Sequence, residues 1–285
     1  MPSSVAANGV THFIWEQEGW LGTLLGPRFP EFPELLSLGA VYVNKVRVHQ
    51  DTWIAVGDYV RLHPRPRRFN TDAVDWPARV LFENGDFRIL HKPSGVPVIA
   101  TVDNIRENVL RALEKSTGVP ALVTHRLDTV TSGVVLLAKT AAFQRWFNRA
   151  LARKTIQKTY SALSSQPAPA GLWVHFMKND PYAPKVLSLE AIDDSVACET
   201  QVGASRPCGT GFETTLSPLT GRTHQLRAQM AFQGCPIWGD TLYGGVAIGE
   251  FGGDRIALHA ETLAFKGPGP DNHDYVFHCP PPWRN

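Results

Sequence analysis

Charge is scarce in this chain of 285 residues, and neither sign dominates. Asp, Glu, Lys and Arg make up 19% of it, and 28 basic against 26 acidic residues leave a formal net charge of +2. That excess permits a nucleic-acid partner without arguing for one, so any basic footprint has to be local. Cysteine is scarce too. Cys198, Cys208, Cys235 and Cys279 stand far apart and form no C-x-x-C pair. This speaks against a zinc site or a disulfide framework, and for reduced thiols in an intracellular compartment. No apolar run is long enough to span a membrane. Met1 to Thr11 lacks the basic and apolar regions of a secretory signal. There is no Walker P-loop, no G-x-G-x-x-G and no metal-ligand motif, so the classes those motifs mark are not indicated. The remaining composition, 43% hydrophobic, is that of an ordinary globular protein of one or two domains.

Against this background one stretch stands out: His125-Arg126-Leu127-Asp128-Thr129-Val130-Thr131-Ser132-Gly133. Ala121-Leu122-Val123 precedes it and Val134-Val135-Leu136-Leu137 follows. Both flanks are short, rich in branched residues and bounded by Pro or Gly, which reads as strand, loop, strand. An Arg, an Asp and hydroxyls on a short connection between two strands are well placed for chemistry. The same residues also make an ordinary β-turn, with Asp128 bonding its own backbone. Residue types alone leave both readings open.

Residues 1–11 read as a loose, small-residue start, and Phe13 to about Leu62 as a compact unit. In that unit a helix through Leu35-Leu36 is ended by Gly39. A hairpin follows, Val41-Tyr42-Val43 turning at Asn44-Lys45 into Val46-Arg47-Val48, and then a strand after Gly57-Asp58. Residues 61–79 form a linker in which Arg61, His63, Arg65, Arg67 and Arg68 surround Pro64 and Pro66. Such an extended basic strip can follow a phosphate backbone or simply be solvated. A hairpin turning at Asn84-Gly85 opens the second unit, and Lys92-Pro93-Ser94-Gly95 follows. The spacing predicts a helix over 104–118, with Asn104 as N-cap, Glu107 at N3 and Gly118 at its end. Thr140 caps a second helix with a core stripe of Phe143, Trp146, Phe147, Ala150 and Leu151. A strand from Ile156 to Leu163 carries Lys158-Thr159-Tyr160. Residues 164–210, with Pro167, Pro169, Pro181 and Pro184, are expected to be irregular. A strand over Glu213–Pro218 then leads into Thr220-Gly221-Arg222-Thr223-His224-Gln225-Leu226-Arg227, where Thr223 can cap a helix to about Gln233.

Taken together, these motifs are similar to those of the RluA-type pseudouridine synthases. That family's signature is His-Arg-Leu-Asp, two variable residues and Thr-Ser-Gly, and all seven specified positions match in 125–133. Lys92-Pro93-Ser94-Gly95 resembles the Lys-Pro-x-Gly motif, Lys158-Thr159-Tyr160 the Lys-x-Tyr motif, and 221–227 the Gly-Arg-x-His-Gln-(Ile/Leu)-Arg segment. Pro236-Ile237-Trp238-Gly239-Asp240 with Tyr243-Gly244, and Leu258-His259-Ala260, complete the order. Gly39, Val41, Val43, Asn44, Gly57-Asp58 and Val60 resemble the S4-type RNA-binding module, with a departure in its helix, where Glu31 and Glu34 accompany Arg28.

The resemblance implies an α+β protein. A mixed, largely antiparallel β-sheet core flanked by helices would occupy 79–285, and a small, degenerate S4-like α/β module 1–70, with the basic linker running to about 78. It implies Asp128 as nucleophile, Arg227 as the cation paired with it, and Tyr160 against the target base. Leu226 would line the pocket, Arg126 would enter the vacated RNA position, Arg222 would contact phosphate, and Thr129 would lie beside the substrate. Reactant and product of pseudouridylation are isomers, so neither cofactor nor metal is expected. The expected partner is ribosomal or transfer RNA, met in part by an arm within 164–210; no membrane is expected. The chain is expected to be a cytoplasmic monomer, or organellar if the source is eukaryotic. Two other readings stay open: a non-catalytic RNA-binding or ribosome-assembly protein on the same folds, and a glycosidase-like hydrolase, which would need a second, acidic carboxyl that no motif supplies.

Overall fold

The computed structural model describes residues 3–7, 9–268 and 273–284. The first elements are β1 (Ser3–Ala7), β2 (Val10–Ile14), β3 (Gly19–Trp20), α1 (Leu21–Leu25), α2 (Phe32–Leu38), β4 (Val41–Val43), β5 (Val46–Val48), β6 (Trp53–Ile54) and β7 (Tyr59–Leu62). Their main sheet has the order β1-β2-β7-β4-β5. Its inner face, with Phe13, Val41, Val60 and Leu62, packs on Leu21, Leu25, Leu35 and Leu36 of the helices. Asn44 and Lys45 both have positive φ, 48° and 69°, as the tight turn between β4 and β5 requires. The expected loose start is partly a strand: β1 pairs with β2, Ser3 facing Ile14 and Ala7 facing Val10. Small residues hid it because its pairing is backbone work. Met1, Pro2 and Asn8 lie outside the described residues.

The linker is clamped rather than free. Arg68 pairs with Glu34 at 2.6 Å and with Glu107 at 2.7 Å, and the Arg67 N–H donates to Asp103 at 2.8 Å. Arg47 donates to the Tyr42 hydroxyl and to the carbonyls of Thr101 and Val102. The charges of the strip are thus partly spent on tying the first unit to the second.

The second unit contains β8 (Val80–Glu83), β9 (Phe87–Lys92), α3 (Val109–Thr117), β10 (Leu122–Val123), β11 (Ser132–Ala138), α4 (Ala141–Ala152), β12 (Gln157–Ser164), β13 (Gly171–Lys178), β14 (Leu187–Ser188), β15 (Ser195–Val202), β16 (Arg206–Cys208), β17 (Gly211–Pro218), α5 (Gln225–Phe232), β18 (Leu258–Lys266) and β19 (Asp274–His278). The sheet runs β14-β13-β15-β17-β12-β18-β11-β9-β8. Its strands pair antiparallel except β11 with β18, where Ser132 faces His259 and Gly133 faces Ala260. That parallel contact needs glycine: a Cβ on Gly133 would stand 2.2 Å from the Ala260 carbonyl oxygen. The fold is therefore the expected α+β arrangement. No helix among the described residues is long and apolar enough to cross a membrane.

Three local expectations are corrected. The stretch 164–210 is largely regular: β13 alternates, burying Trp173, His175 and Met177, and pairs along its length with β15. Pro167, Pro169, Pro181 and Pro184 lie between strands, where they cost no ladder bonds, and Pro207 sits in the short β16, which pairs only with β17 among the described residues. Helix α3 begins at Val109, capped by Asn108, whose side chain accepts from the Arg111 N–H. Asn104 instead accepts from the N–H groups of Arg106 and Glu107 in a turn, and Glu107 reaches out to Arg68. The N-cap of α5 is His224, in left-handed conformation at φ 59°, rather than Thr223.

The end of the described chain locks the back of the sheet. Arg284 donates to Glu213 at 2.8 Å and to the Ser161 hydroxyl at 3.0 Å, and pairs with Glu261. Glu213 and Glu261 are buried, and without Arg284 their ion pairs are reduced to the longer contacts to Arg206 and His278, beside neutral hydrogen bonds from the Trp283 N–H and the Ser161 hydroxyl. Breaking a buried ion pair from one side is costly. Arg284→Ala is expected to lower unfolding free energy by about 3 kcal/mol in urea titration; a loss below the scatter of the fit would show that the clamp does not stabilise the fold.

Candidate functional site

The loop between β10 and β11 is pinned on both sides of Asp128. The Asp128 carbonyl accepts the Thr131 N–H at 3.1 Å, closing a turn, and Leu127 is sunk in the core. The Thr129 carbonyl accepts from the Gly95 N–H at 2.9 Å and from the Lys92 ammonium at 3.1 Å. Lys92 is fully buried and also donates to the carbonyls of Pro93 and Val96. Burial pulls its pKa down to about 7, while the nearby Asp128 charge works the other way. The Lys-Pro-Ser-Gly turn thus braces the loop from beneath through one ammonium and three carbonyls.

Asp128 itself is part-exposed, and its Oδ2 lies 3.4 Å from Nη1 of Arg227 on α5. That contact is the longer one for the guanidinium. Nε and Nη2 of Arg227 donate to the carboxylate of Asp240 at 2.7 and 2.8 Å, a two-pronged pair between buried groups. Two parallel charge-assisted bonds fix the plane of an arginine. Burial works against the Arg227 charge, but Asp240 and Asp128 outweigh it and hold the group above its usual pKa. The Tyr243 ring lies 5.1 Å from the guanidinium carbon, and its hydroxyl is 3.1 Å from Nδ1 of His224. Asp240 lies in the Pro236-Ile237-Trp238-Gly239-Asp240 motif, where residue types give it no partner. Its partner is thirteen residues earlier in the chain, and nothing local in the sequence signals the pairing.

Tyr160, on β12, is buried in the same core as Leu127 and Leu226. Burial, helped by the charge of Asp128, pushes its phenol well above the usual value. Asp128, Tyr160, Leu226 and Arg227 are therefore brought together, with Thr129 on the same turn. Arg126 and Arg222 are exposed at the rim and reach no carboxylate among the described residues. His125 faces inward instead: its Nε2 accepts the Leu136 N–H at 3.1 Å, its ring stacks on Phe147, and burial lowers its pKa to about 3. His259 bridges the Ser132 hydroxyl at 2.8 Å and the Cys279 carbonyl at 3.0 Å. Ligand atoms of His91, His259 and Cys279 lie within 4.8 Å of one another. Both His259 nitrogens are already engaged, and Arg79 lies 3.3 Å from His91, so the cluster is built as a hydrogen-bonded brace.

Two stability experiments follow from this geometry. Arg227→Met should cost about 3–5 kcal/mol by stranding Asp240, and Arg227→Met/Asp240→Leu should recover much of that in urea titration. An equal loss in the double variant would refute the pairing as the source. For Lys92 the sign runs through linkage. The unfolded lysine keeps its proton to about pH 10.4, whereas the folded one releases it near 7, so the unfolded chain binds more protons in between and stability rises with pH there. Relative to Lys92→Met, the parent should gain stability from pH 7 to 10, with a limiting slope of about 1.4 kcal/mol per unit; parallel pH curves would show that Lys92 does not titrate in that window.

The family model described as RNA pseudouridylate synthase matches residues 86–232. The "RNA pseudouridine synthase 6, chloroplastic" of Arabidopsis thaliana is 30% identical over 72% of this chain and 48% of its own length. The "Ribosomal large subunit pseudouridine synthase C" of Escherichia coli (strain K12) is 32% identical over 82% of this chain and 79% of its own. The chain spans about half the length of the chloroplastic plant relatives it matches. The solved structure "Human RNA Pseudouridylate Synthase Domain Containing 4" shares the fold, with a TM-score of 0.57 at 21% identity, over 74% of this chain and 91% of that one. With the loop, the two supporting turns and the helix-borne arginine all inside or beside the matched segment, this chain belongs to the RNA pseudouridylate synthase family.

Proposed function

We propose that the protein isomerises uridine to pseudouridine in RNA, with Asp128 as the group that acts at the sugar. The observation that carries this reading is the pairing of a part-exposed Asp128 with an arginine whose plane is fixed by Asp240. In the reaction the bond between uracil N1 and ribose C1′ breaks, the base turns, and C5 joins C1′. N1 gains a proton and C5 loses one, so the balance closes without cofactor or external reductant.

Each residue then has a task. Arg227 sets a cation of fixed orientation 3.4 Å from the Asp128 carboxylate and can donate a charge-assisted hydrogen bond to it. Tyr160 presents its ring to the uracil; its raised pKa keeps the phenol neutral, able to donate a hydrogen bond but not to serve as a phenolate base near neutral pH. Leu226 and Leu127 give the pocket an apolar wall that holds the cleaved base. The target has to leave its stack at a cost of a few kcal/mol, and the exposed Arg126, beside Asp128, can fill the vacancy with a planar cation. Arg222 and Thr129 border the substrate. Ribosomal RNA is the substrate class that the bacterial relatives' names favour. Residues 1–70 act as a degenerate S4-like module that positions the second unit. Glu34 is taken up by Arg68 of the linker, which also holds Glu107 of the second unit, and this supports positioning over RNA contact by that helix.

The test is pseudouridine mapping of total RNA by carbodiimide treatment and reverse transcription, in cells carrying the parent, Asp128→Ala or no protein. A stop seen only with the parent is expected. Identical profiles in all three would sink the isomerase reading and leave a non-catalytic RNA-binding protein.

A further inference from the structure

Lys158 is an ammonium in waiting. It stands two residues before Tyr160 on β12, so strand alternation puts both side chains on one face of the sheet. The irregularity in the pairing with β18 leaves this alternation intact, because it is β18 that passes over a residue, Thr159 facing Thr262 and Tyr160 facing Ala260. Lys158 is only partly exposed. Its ammonium makes no hydrogen bond or ion pair among the described residues. Burial lowers its pKa, with no carboxylate acting in the other direction. Neighbouring lysines differ: Lys154 pairs with Glu199 at 3.0 Å, Lys139 with Glu83 at 2.7 Å, and Lys92 is saturated by carbonyls.

The position of the ammonium is defined. A Cβ added to Gly221 would stand 3.6 Å from Lys158 Nζ, so it lies against the turn that leads through Arg222 into α5. Its charge is felt by His125, at the head of the signature loop. It therefore sits at the mouth of the site, between the loop of Arg126 and the turn of Arg222, both of which present exposed guanidinium groups. Taking a cation partly out of water without a counterion is unfavourable, and the fold places this one where substrate arrives. Uracil is neutral, and the anions of RNA are its phosphodiesters. These lie on the sugar side of the nucleotide, displaced from the base along the chain, as Lys158 is displaced from Tyr160 along the strand. A compact, freely rotating ammonium suits a phosphate as a point charge.

We propose that Lys158 is the phosphate anchor of the site, binding a phosphodiester next to the uridine whose base meets Tyr160. This rests on the function proposed above and adds the group that holds the backbone while the base turns. A lysine packing only its methylene stem is the competing account, and the two separate experimentally.

The probe is an unmodified transcript of large-subunit ribosomal RNA, with filter binding measured from low to high salt for the parent, Lys158→Met, Lys158→Gln and Lys158→Arg. Single-turnover conversion is followed in parallel. Parent turnover by itself judges the isomerase reading, whereas the salt slope judges the anchor and needs no turnover. Removing one phosphate contact should weaken binding by about tenfold at low salt and make the log–log salt slope shallower by about 0.7. Both charge-removing variants should show this, and Lys158→Arg should restore the slope. Binding and slope unchanged in Lys158→Met and Lys158→Gln would overturn the proposal in favour of stem packing. A lost rate at saturation with unchanged affinity would overturn it in favour of a role in the chemistry.

Discussion

Arg227 commits two of its guanidinium nitrogens to Asp240 and has one left to face Asp128. The arrangement depends on this division. A lone arginine beside a part-exposed carboxylate could swing out to water, and the pairing would then be a weak surface contact. Anchored by a buried carboxylate, it has a fixed plane, and the Asp128 charge has a fixed neighbour. The buried half of the triad must be complete, since either charge alone would be costly inside the protein. Folding and site assembly are thus coupled through one side chain on α5.

The sheet delivers the remaining parts to that side chain. The one parallel contact among the described residues, β11 with β18, sets Ser132 beside His259 and starts β11 where the signature loop ends. From below, Lys92 gathers the carbonyls of its own turn and of Thr129, so two loops distant in sequence share one ammonium. From the side, β12 brings Tyr160 and Lys158. The acid, the arginine and the ring come from three separate elements, and tertiary packing sets their separations.

Much of this could be read from residue types and order. The strand–loop–strand around Asp128, the hairpin at Asn84-Gly85, the Thr140 cap and the Gly39 and Gly118 helix ends all follow from local rules, because turn chemistry and period are local properties. The misses share a cause. In 164–210 the prolines of the connections masked strands such as β13, whose ladder partner β15 starts seventeen residues after β13 ends. Asn104, expected as the cap, closes a turn instead, and the helix starts at Val109 under an Asn108 cap, with Glu107 pairing across the unit boundary to Arg68. A basic linker that residue types left as either a phosphate strip or a solvated run is in part a clamp, because acidic partners from both units are in reach of Arg68.

The sequence by itself supplied the family motifs, because they are written in neighbouring residues, and the resemblance those motifs carry implied the α+β class and the groups expected at the site, Asp240 excepted. Only the tertiary structure decided that Arg227 belongs first to Asp240, that Lys92 braces the Asp128 turn, and that Lys158 is left without a counterion. Those outcomes turn on which charges meet in space and how much water remains between them. The strength of a charge pair is set by distance and desolvation, and neither can be read along a chain.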